Sequence, residues 1–307
     1  MSHETLYLGL DIGGTKSAAI VGTATGTIRE RAEWPSLAHQ GLEPMLATIL
    51  ETAAEMAAKH PGLAAVGVSI GGPLDAKDGV IQSPPNLPGW DNVPLKSILA
   101  ERLSLPVQVG HDAAACALAE CCWGAAQGLN RVAYLTCGTG FGIGLVFDGK
   151  IYCGAHGHNC EIGHARYAED GPVAFGKAGS FEAYCAGSAL GRIAAWKFPN
   201  LWPKAPPSEE ISKLAKGGHP EARQVVAINA RAVGRACALI ADMLFPDIII
   251  LGSLANHLGK LWLDQVQDAF AAEALPAAHQ ACRIAPSALG KRLQDFSALA
   301  VACRGGQ

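Results

Sequence analysis

The sequence predicts an α/β protein with an internal duplication, in which each half carries a glycine-rich loop between antiparallel strands. The first loop, Gly13-Gly14-Thr15, follows an apolar run at 6–12 and precedes a second run at 17–23. The second loop, Gly138-Thr139-Gly140, lies between the runs VAYLTC and GIGLVF. Because the same plan recurs far apart in a chain of 307 residues, it indicates one loop per half and two domains of ordinary size.

The remaining elements follow from hydrophobic periodicity and from glycine or proline punctuation. Further strands are predicted at 64–70, 106–110 and 247–252. Helices are predicted at 41–60, 95–103, 112–124 and 294–302, and across 180–243 with a proline-rich interruption at 198–207. Asp112 falls at the start of its helix, where a carboxylate complements the helix dipole.

Composition excludes several classes of protein. With 24 basic and 27 acidic residues the chain has no basic field, so we expect neither nucleic acid nor an anionic membrane as a partner. The N-terminus lacks the features of a signal peptide, and no stretch approaches the roughly 18 uninterrupted apolar residues of a membrane helix. We therefore expect a cytoplasmic protein. The ten cysteines are scattered without a CxxC pair, which is typical of buried thiols.

The first loop has the chemistry of an anion site. The segment LGLDIGGTK, residues 8–16, misses the P-loop pattern because Thr15 separates the last glycine from Lys16. An acid at a strand end, followed by two glycines, a hydroxyl and a cation, suits an anion that is bound by backbone N–H groups. Asp11 would then hold hydrated Mg²⁺. The alternative is a simple hairpin with a solvated lysine.

The second loop has the same chemistry and the same alternative. It does not fit GxGxxG, because Ile143 stands where the last glycine would be, and a dinucleotide fold is therefore disfavoured. Two phosphate-binding loops in one chain are the arrangement of actin-like ATPases and sugar kinases.

Seven motifs then occur in a fixed order: DIGGTK at 11–16, SIGGPLD at 69–75, SPPNLPGW at 83–90, VGHDAAACALAE at 109–120, TCGTGFGIGLVFDGKI at 136–151, EIGH at 161–164 and GKAGSFE at 176–182. Together they resemble the sugar kinases of the repressor/ORF/kinase (ROK) family, from Leu6 to about Gly252. The resemblance implies a two-lobed, actin-like, ribonuclease H-like fold with duplicated mixed sheets. The smaller N-terminal lobe would be 1–112, completed by a C-terminal helix at about 290–307, and the larger lobe would be 113–289.

The resemblance also implies roles for individual residues. Asp112 matches the general base that takes a proton from a sugar hydroxyl, usually O6, as this oxygen attacks the γ-phosphate of ATP. The residues that match the nucleotide and Mg²⁺ motifs are Asp11, Gly13, Gly14, Thr15, Lys16, Gly138, Thr139, Gly140 and Gly252. Those that match sugar contacts are Gly72, Asn86, His111, Asp112, Glu161, His164 and Glu182. From the residues alone, Asn86 reads equally as a turn residue, Asp112 as a helix N-terminal acid and Glu182 as a surface charge.

Three departures from the family pattern limit this assignment. The family commonly holds a structural zinc through the histidine of the GH dipeptide and three cysteines, and those cysteines are here Val173, Phe175 and Ser180. We therefore expect no zinc site and a loop held by apolar packing. His156, His158 and Cys160 lie nearby and leave another metal site open. His111 replaces a usual asparagine, so it either reads the sugar or packs under the loop, and the late glycine-rich segment is reduced to Gly252-Ser253-Leu254.

The expected function is therefore an ATP-dependent hexose kinase that phosphorylates glucose or an amino or N-acetyl hexose. A homodimer is expected, since dimers are usual for the family. The alternative is a sugar-binding sensor with weak or no catalysis. A transcriptional repressor is disfavoured, because only ten residues precede Asp11 and leave no room for a helix-turn-helix domain.

Overall fold

The computed structural model describes residues 4–305, apart from the side chain of His156. Its strands are β1 Leu6–Ile12, β2 Lys16–Thr23, β3 Ile28–Pro35, β4 Leu63–Ile70, β5 Leu74–Asp75, β6 Val80–Gln82, β7 Asp91–Val93, β8 Val107–His111, β9 Arg131–Leu135, β10 Ile143–Phe147, β11 Lys150–Ile151, β12 Val173–Ala174, β13 Lys177–Ala178, β14 Ile248–Leu251 and β15 Arg283–Pro286. Its α-helices are α1 Leu42–Lys59, α2 Leu95–Leu103, α3 Asp112–Trp123, α4 Phe181–Cys185, α5 Ala189–Lys197, α6 Ser208–Lys216, α7 Pro220–Leu244, α8 Leu254–Leu258, α9 Lys260–Glu273, α10 Pro276–Ala281 and α11 Leu293–Arg304. Short 3₁₀ helices occupy Ala38–Gln40, Ala155–Gly157, Ile162–His164 and Gly290–Arg292.

Two five-stranded sheets share one topology. Their strand orders are β3-β2-β1-β4-β8 and β11-β10-β9-β14-β15. In the first sheet β1 pairs antiparallel with β2 and parallel with β4, which is parallel to β8. In the second, β14 lies parallel between β9 and β15, and β10 is antiparallel to β11. The predicted α/β class with duplicated mixed sheets is confirmed.

Contacts divide the chain into two compact units. The first contains residues up to Asn130, Gly144–Cys160 and the residues from Lys291 onward. The second contains Arg131–Ile143 and Glu161–Gly290. Helix α3 belongs to the first unit, where it packs on α11, so these units differ from the expected division after Asp112.

In the first unit, the C-terminal helix α11 lies against the first sheet. It approaches β1 and β4 closely because both strands carry glycine at the contact. A Cβ atom at Gly67 would lie 2.0 Å from the backbone nitrogen of Ala302, and one at Gly9 would lie 2.8 Å from that of Leu299. The other face of the sheet is covered by α1 and α2, and there Leu8, Leu10 and Ile49 are fully buried. The sheet is therefore fixed from both sides, and its strand ends are placed accurately.

In the second unit, the long helix α7 packs against α4, α5, α6 and α9. Its buried Asn229 donates Nδ2 to the carbonyls of Tyr184 at 2.7 Å and Ala186 at 3.2 Å, and it accepts the indole N–H of Trp262 at 2.7 Å. This side chain thus fixes the junction between α4 and α5, next to the candidate site. Helix α7 is the one described helix whose length and composition would suit a membrane span, and 67% of its most apolar window is buried inside the protein, as in a core helix.

Candidate active site

The first glycine loop joins β1 to β2. The N–H groups of Gly13, Gly14 and Thr15 have no hydrogen-bond acceptor within residues 4–305. The loop is fixed from outside, because Ser36 donates its N–H to the carbonyl of Thr15 at 3.0 Å. Asn86 lies directly against it: a Cβ atom at Gly14 would be 2.6 Å from the Asn86 carbonyl oxygen. Neighbouring N–H groups without partners are what an anion site requires.

Three parallel strands end beside this loop. Ile12 at the end of β1 is in register with Ile70 of β4, and Ile70 is in register with His111 of β8. The residues that follow these strands therefore share one edge of the sheet: the first loop, Gly71-Gly72 and Asp112. Such an edge is where α/β proteins place ligand sites.

Asp11 carries an excess of negative charge. Burial, together with the nearby carboxylates of Asp112 and Asp295, raises the pKa of Asp11 to about 7. Lys16 and Arg31 oppose this effect, and both are bound to other acids. Arg31 Nε contacts both carboxylate oxygens of Asp295, at 3.0 and 2.8 Å. A partly neutralised carboxylate at a phosphate-type loop is a donor that fits hydrated Mg²⁺.

Lys16 is held away from a simple phosphate-facing role. Its Nζ lies 2.9 Å from Glu33 on β3, with 63% of its side chain exposed. Glu33 in turn accepts from Arg31 at 2.6 Å, so an ion-pair chain runs from Lys16 to Asp295. In the exposed part of this chain each pair contributes little to stability. Lys16 can therefore exchange Glu33 for an incoming anion at low cost.

Asp112 is the first residue of α3. Its Oδ1 accepts the N–H of Ala113 at 2.6 Å, and a Cβ atom at Gly71 would lie 3.9 Å from its Oδ2. Half of the side chain is exposed (50%), so one carboxylate oxygen is fixed by the helix terminus while the group stays accessible to a ligand. This is the geometry that a general base requires.

His111 is the N-cap of α3 and is buried. Its Nδ1 accepts the N–H of Ala113 at 3.3 Å and lies 3.2 Å from Asp112 Oδ1. The ring packs against Gly72, where a Cβ atom would lie 2.8 Å from the imidazole Cδ2. The structure thus gives His111 a capping and packing position beside Asp112, and its contact with a sugar stays a prediction.

The second glycine loop is held from α5 and from within. Thr136 accepts the N–H of Gly142 on Oγ1 at 2.7 Å, and Ser188 donates its N–H to Gly138 O at 3.1 Å and its Oγ–H to Thr139 O at 2.5 Å. The N–H groups of Thr139 and Gly140 have no acceptor among the described residues. Because Ser188 takes up the loop carbonyls, the two free N–H groups are left for an anion.

Glu182 connects three parts of the second unit. It is buried, and its Oε2 accepts the N–H of Phe141 at 2.6 Å, in the second loop. A Cβ atom at Gly163, within the EIGH turn, would lie 3.4 Å from the same oxygen. Burial raises the pKa of Glu182, and Arg192 lies 3.9 Å from its other oxygen. Glu161 and His164 of the same turn are exposed. Glu182 is therefore a buried acid, and the alternative of a surface charge is wrong.

Gly252 ends β14 next to the second loop. Its N–H donates to Leu135 O at 3.0 Å, and a Cβ atom here would lie 2.1 Å from the hydroxyl oxygen of Tyr134. The following Ser253 approaches the loop, since a Cβ atom at Gly138 would be 3.2 Å from Ser253 Oγ. Only glycine fits at 252, whatever ligand the loop binds.

The segment that would hold zinc carries no metal donors at the three expected positions. Ser180 caps α4 by accepting the N–H of Ala183 at 3.2 Å, and Val173 and Phe175 are 54% and 64% exposed. The expected apolar packing is therefore wrong for the hairpin tip, although Tyr167 and Phe181 do pack at its base, 5.3 Å between ring centroids. Within the described residues no group of three or more His, Cys, Asp or Glu side chains could hold a metal ion.

Sequence reasoning missed several residues that position the site. These are Ser188, Arg31, Asp295 and Arg192, all of which act through partners far away in the sequence. The partner of Ser188 is 49 residues away, and that of Arg31 is 264 residues away. No local pattern marks such residues.

Comparison with known proteins gives a consistent assignment. The family model described as "ROK family" matches residues 7–299. The chain is 29% identical to a glucokinase of Thermotoga maritima over 83% of each chain, and 28% identical to a xylose repressor of Caldicellulosiruptor bescii, of whose length it covers 59%. Among solved structures, a ROK hexokinase from Thermus thermophilus has a TM-score of 0.84 and 32% identity over 98% of this chain and 97% of that one. A ROK family glucokinase from Streptomyces griseus, in complex with glucose and AMPPNP, has a TM-score of 0.80 and 30% identity over 97% and 99%.

Proposed function

The chain belongs to the ROK family as a glucokinase-like sugar kinase, and on this basis we propose that it transfers the γ-phosphate of ATP to a hexose hydroxyl, O6 of glucose or of an amino or N-acetyl hexose. The observation that carries the proposal is the pair of glycine loops with free N–H groups, one of which borders Asp112. Phosphoryl transfer needs mainly positioning and charge neutralisation, with one carboxylate to orient the nucleophile.

In this proposal Asp112 is the general base. One oxygen is held by the Ala113 N–H at 2.6 Å, and the accessible side chain accepts the proton of the attacking hydroxyl. Its position at a helix N-terminus stabilises the ionised form that a base must have before the reaction.

The N–H groups of the two loops are proposed to bind the phosphates of ATP. Gly13, Gly14 and Thr15 supply one set, with Lys16 released from Glu33, and Gly138, Thr139 and Gly140 supply the other, with Gly252 beside them. Asp11 would hold hydrated Mg²⁺, which neutralises phosphate charge when bound. The raised pKa of Asp11 supports this assignment, because a cation relieves the surplus of negative charge around it.

The sugar contacts are proposed for residues of both units. Gly72, Asn86, His111 and Asp112 lie in the first unit, and Glu161, His164 and Glu182 in the second. Many polar contacts are needed, because each buried sugar hydroxyl left without a partner costs about 1 to 3 kcal/mol.

An ADP-release assay over a panel of hexoses tests the proposal: glucose, mannose, N-acetylglucosamine, N-acetylmannosamine and 3-amino-3-deoxyglucose. With the best sugar, Asp112→Asn should lower kcat by roughly 10² to 10⁴, since that is the usual contribution of a general base. The calorimetric Kd for the sugar should change little. A variant that keeps its kcat would remove Asp112 from the role, and a wild type that phosphorylates none of the sugars would remove the function.

A sugar-binding protein with weak or no catalysis is the second candidate. A xylose repressor among the relatives favours keeping it, since repressor and kinase share this family. Calorimetric binding of a sugar without ADP release, at saturating ATP and Mg²⁺, would establish it.

We also propose that the enzyme acts as a homodimer in the cytoplasm, without nucleic-acid or membrane partners. The near balance of 24 basic and 27 acidic residues supports the last point. Light scattering coupled to size exclusion would measure the mass, and a monomer at micromolar concentration would contradict the dimer.

A further inference from the structure

The segment from His164 to Phe181, here called the 164–181 loop, connects two proposed sugar contacts, His164 and Glu182. It is folded back on itself by main-chain hydrogen bonds. Tyr167 and Ala168 both donate to Gly179 O, at 2.8 and 2.9 Å, and Phe181 donates to Ala165 O at 3.0 Å. The conformation of this loop therefore decides where His164 lies.

Little apolar contact supports the tip of this loop. Val173 and Phe175, on the β12–β13 hairpin, are mostly exposed, and Phe175 has a left-handed backbone conformation with φ of 47°. Its one described ring contact is with His164, at 5.8 Å between centroids. Something other than a hydrophobic core must hold the hairpin against the rest of the loop.

Two side-chain cations occupy the places where loop carbonyls converge. Arg166 Nη1 lies 3.3 Å from Ala168 O, 3.4 Å from Glu169 O and 3.3 Å from Ala178 O. Lys177 Nζ donates to the carbonyl of His164 itself at 2.5 Å. Converging carbonyl oxygens repel one another, and a cation between them turns this repulsion into charge-assisted hydrogen bonds.

The contacts form a sequence that ends at the site. Arg166 joins the second arm of the hairpin, at Ala178, to the turn at Ala168 and Glu169. The same arm carries Lys177, and Lys177 reaches His164. Fixing the arm therefore fixes the ammonium group, and the ammonium group fixes the His164 backbone.

We propose that Arg166 and Lys177 are positioning residues that cross-link the 164–181 loop through its carbonyl groups and thereby hold His164 in the geometry that binds sugar. The last clause rests on the function proposed above. In this chain the two cations take the structural place for which the residues at 173, 175 and 180 offer no metal donors.

Hydrogen exchange and kinetics on matched variants test this proposal. The variants are Arg166→Gln, Lys177→Met and the double change. The controls are Arg231→Gln and Lys204→Met, whose exposed side chains have no described hydrogen bond or ion pair. Exchange at residues 167, 168, 179 and 181 should be faster by roughly tenfold or more in Arg166→Gln, and unchanged in the controls.

The kinetic readout separates positioning from mere stability. With the sugar that the wild type phosphorylates best, KM for sugar should rise about 5- to 50-fold while KM for ATP changes less than about twofold. Lys177→Arg should restore a low KM for sugar, because one guanidinium N–H can replace the ammonium at a single carbonyl. The double variant should be no worse than Lys177→Met, since Arg166 acts through the same arm.

Two results would overturn the proposal. One is loop exchange that equals that of the controls, and the other is a lowered Tm with an unchanged KM for sugar. The exchange result judges the cross-link whether or not the wild type phosphorylates a hexose, so its failure is distinguishable from failure of the proposed function.

Discussion

At the scale of single residues, His111 combines a structural and a proposed chemical task. Its Nδ1 caps α3, and its ring packs on Gly72, so the side chain is fixed next to Asp112. A capping imidazole that accepts on Nδ1 carries its proton on Nε2, and this tautomer offers a donor toward a sugar hydroxyl. The capping task follows from the structure, whereas the sugar contact needs an experiment.

His111→Asn should redistribute substrate specificity while keeping the fold. Asparagine is among the best N-caps, so the helix start is retained and Tm should change little. A shorter side chain that reads one ring position should change kcat/KM unequally for the five hexoses named above, because a site that hydrogen-bonds a hydroxyl discriminates strongly. Equal changes for all five sugars would instead assign His111 to packing alone.

Asp11 shows a cost in stability that a ligand would relieve. Its pKa of about 7 in the folded protein exceeds the ordinary value of 3.8, so the folded state binds this proton more tightly than the unfolded state does. The free energy of unfolding therefore falls as pH rises from about 4 to about 7, and the penalty is fully present above that range.

Asp11→Asn should for this reason raise Tm at pH 8, measured without nucleotide or Mg²⁺, and leave it nearly unchanged at pH 4. The gain should be several degrees, since one pKa unit corresponds to about 1.4 kcal/mol. Mg²⁺ with ATP should stabilise the wild type more than the variant, and kcat should fall in the variant. A lower Tm for Asp11→Asn at pH 8 would contradict the electrostatic account.

At the scale of elements, the second glycine loop depends on a neighbouring helix junction. Its carbonyls at Gly138 and Thr139 are bonded to Ser188, just before α5, and Gly187 permits this approach: a Cβ atom there would lie 2.8 Å from both Cys137 O and Gly138 O. Asn229 of α7 fixes the preceding turn through Ala186. The orientation of the loop N–H groups is thus set by helices and not by the loop sequence alone.

Ser188→Ala should weaken nucleotide binding selectively. Loss of the hydroxyl frees Thr139 O, and the loop then samples orientations that do not present its N–H groups, so KM for ATP should rise by about 5- to 20-fold. KM for sugar should stay within about twofold. Ser188→Thr, which keeps the hydroxyl, serves as the matched control. An equal rise of both KM values would show a general loss of structure instead.

Element prediction succeeded where the pattern was long and local. The helices over 42–59, 95–103 and 112–123 and the strands of both sheet halves were predicted within a few residues. Helices α9 and α10 and strand β15 were missed. The two-residue and three-residue strands β5 to β7 were missed as well, because pairing with a neighbour defines them and no periodicity does.

At the scale of the whole molecule, metal content distinguishes this chain from the common pattern of its family. The three positions that would carry thiolates hold Val173, Phe175 and Ser180. All ten cysteines are free, and burial raises the pKa of several thiols, that of Cys121 and of Cys303 to about 12. Thiols that are hard to ionise are poor metal ligands.

Elemental analysis of purified, untagged protein should therefore find no stoichiometric zinc. A chelator should leave Tm unchanged, because no metal contributes to folding. Activity should still require added Mg²⁺, and chelation should abolish it reversibly. About one equivalent of zinc, lost together with stability on chelation, would show a site built from His156, His158 or the nearby thiols.

The sequence by itself determined the α/β class, the duplication, the two glycine loops and the position of Asp112 at a strand–helix junction. These features depend on side-chain periodicity and on backbone sterics, which act over a few residues. Only the tertiary structure decided that Glu182 is buried against Phe141, that Lys16 pairs with Glu33, and that Arg166 and Lys177 bridge carbonyls of a loop expected to pack apolar side chains. Polar partners are chosen by which groups the folded chain brings within about 3 Å. Since a charged or polar side chain can satisfy itself with many such groups, its partner follows from the fold and not from its own local sequence.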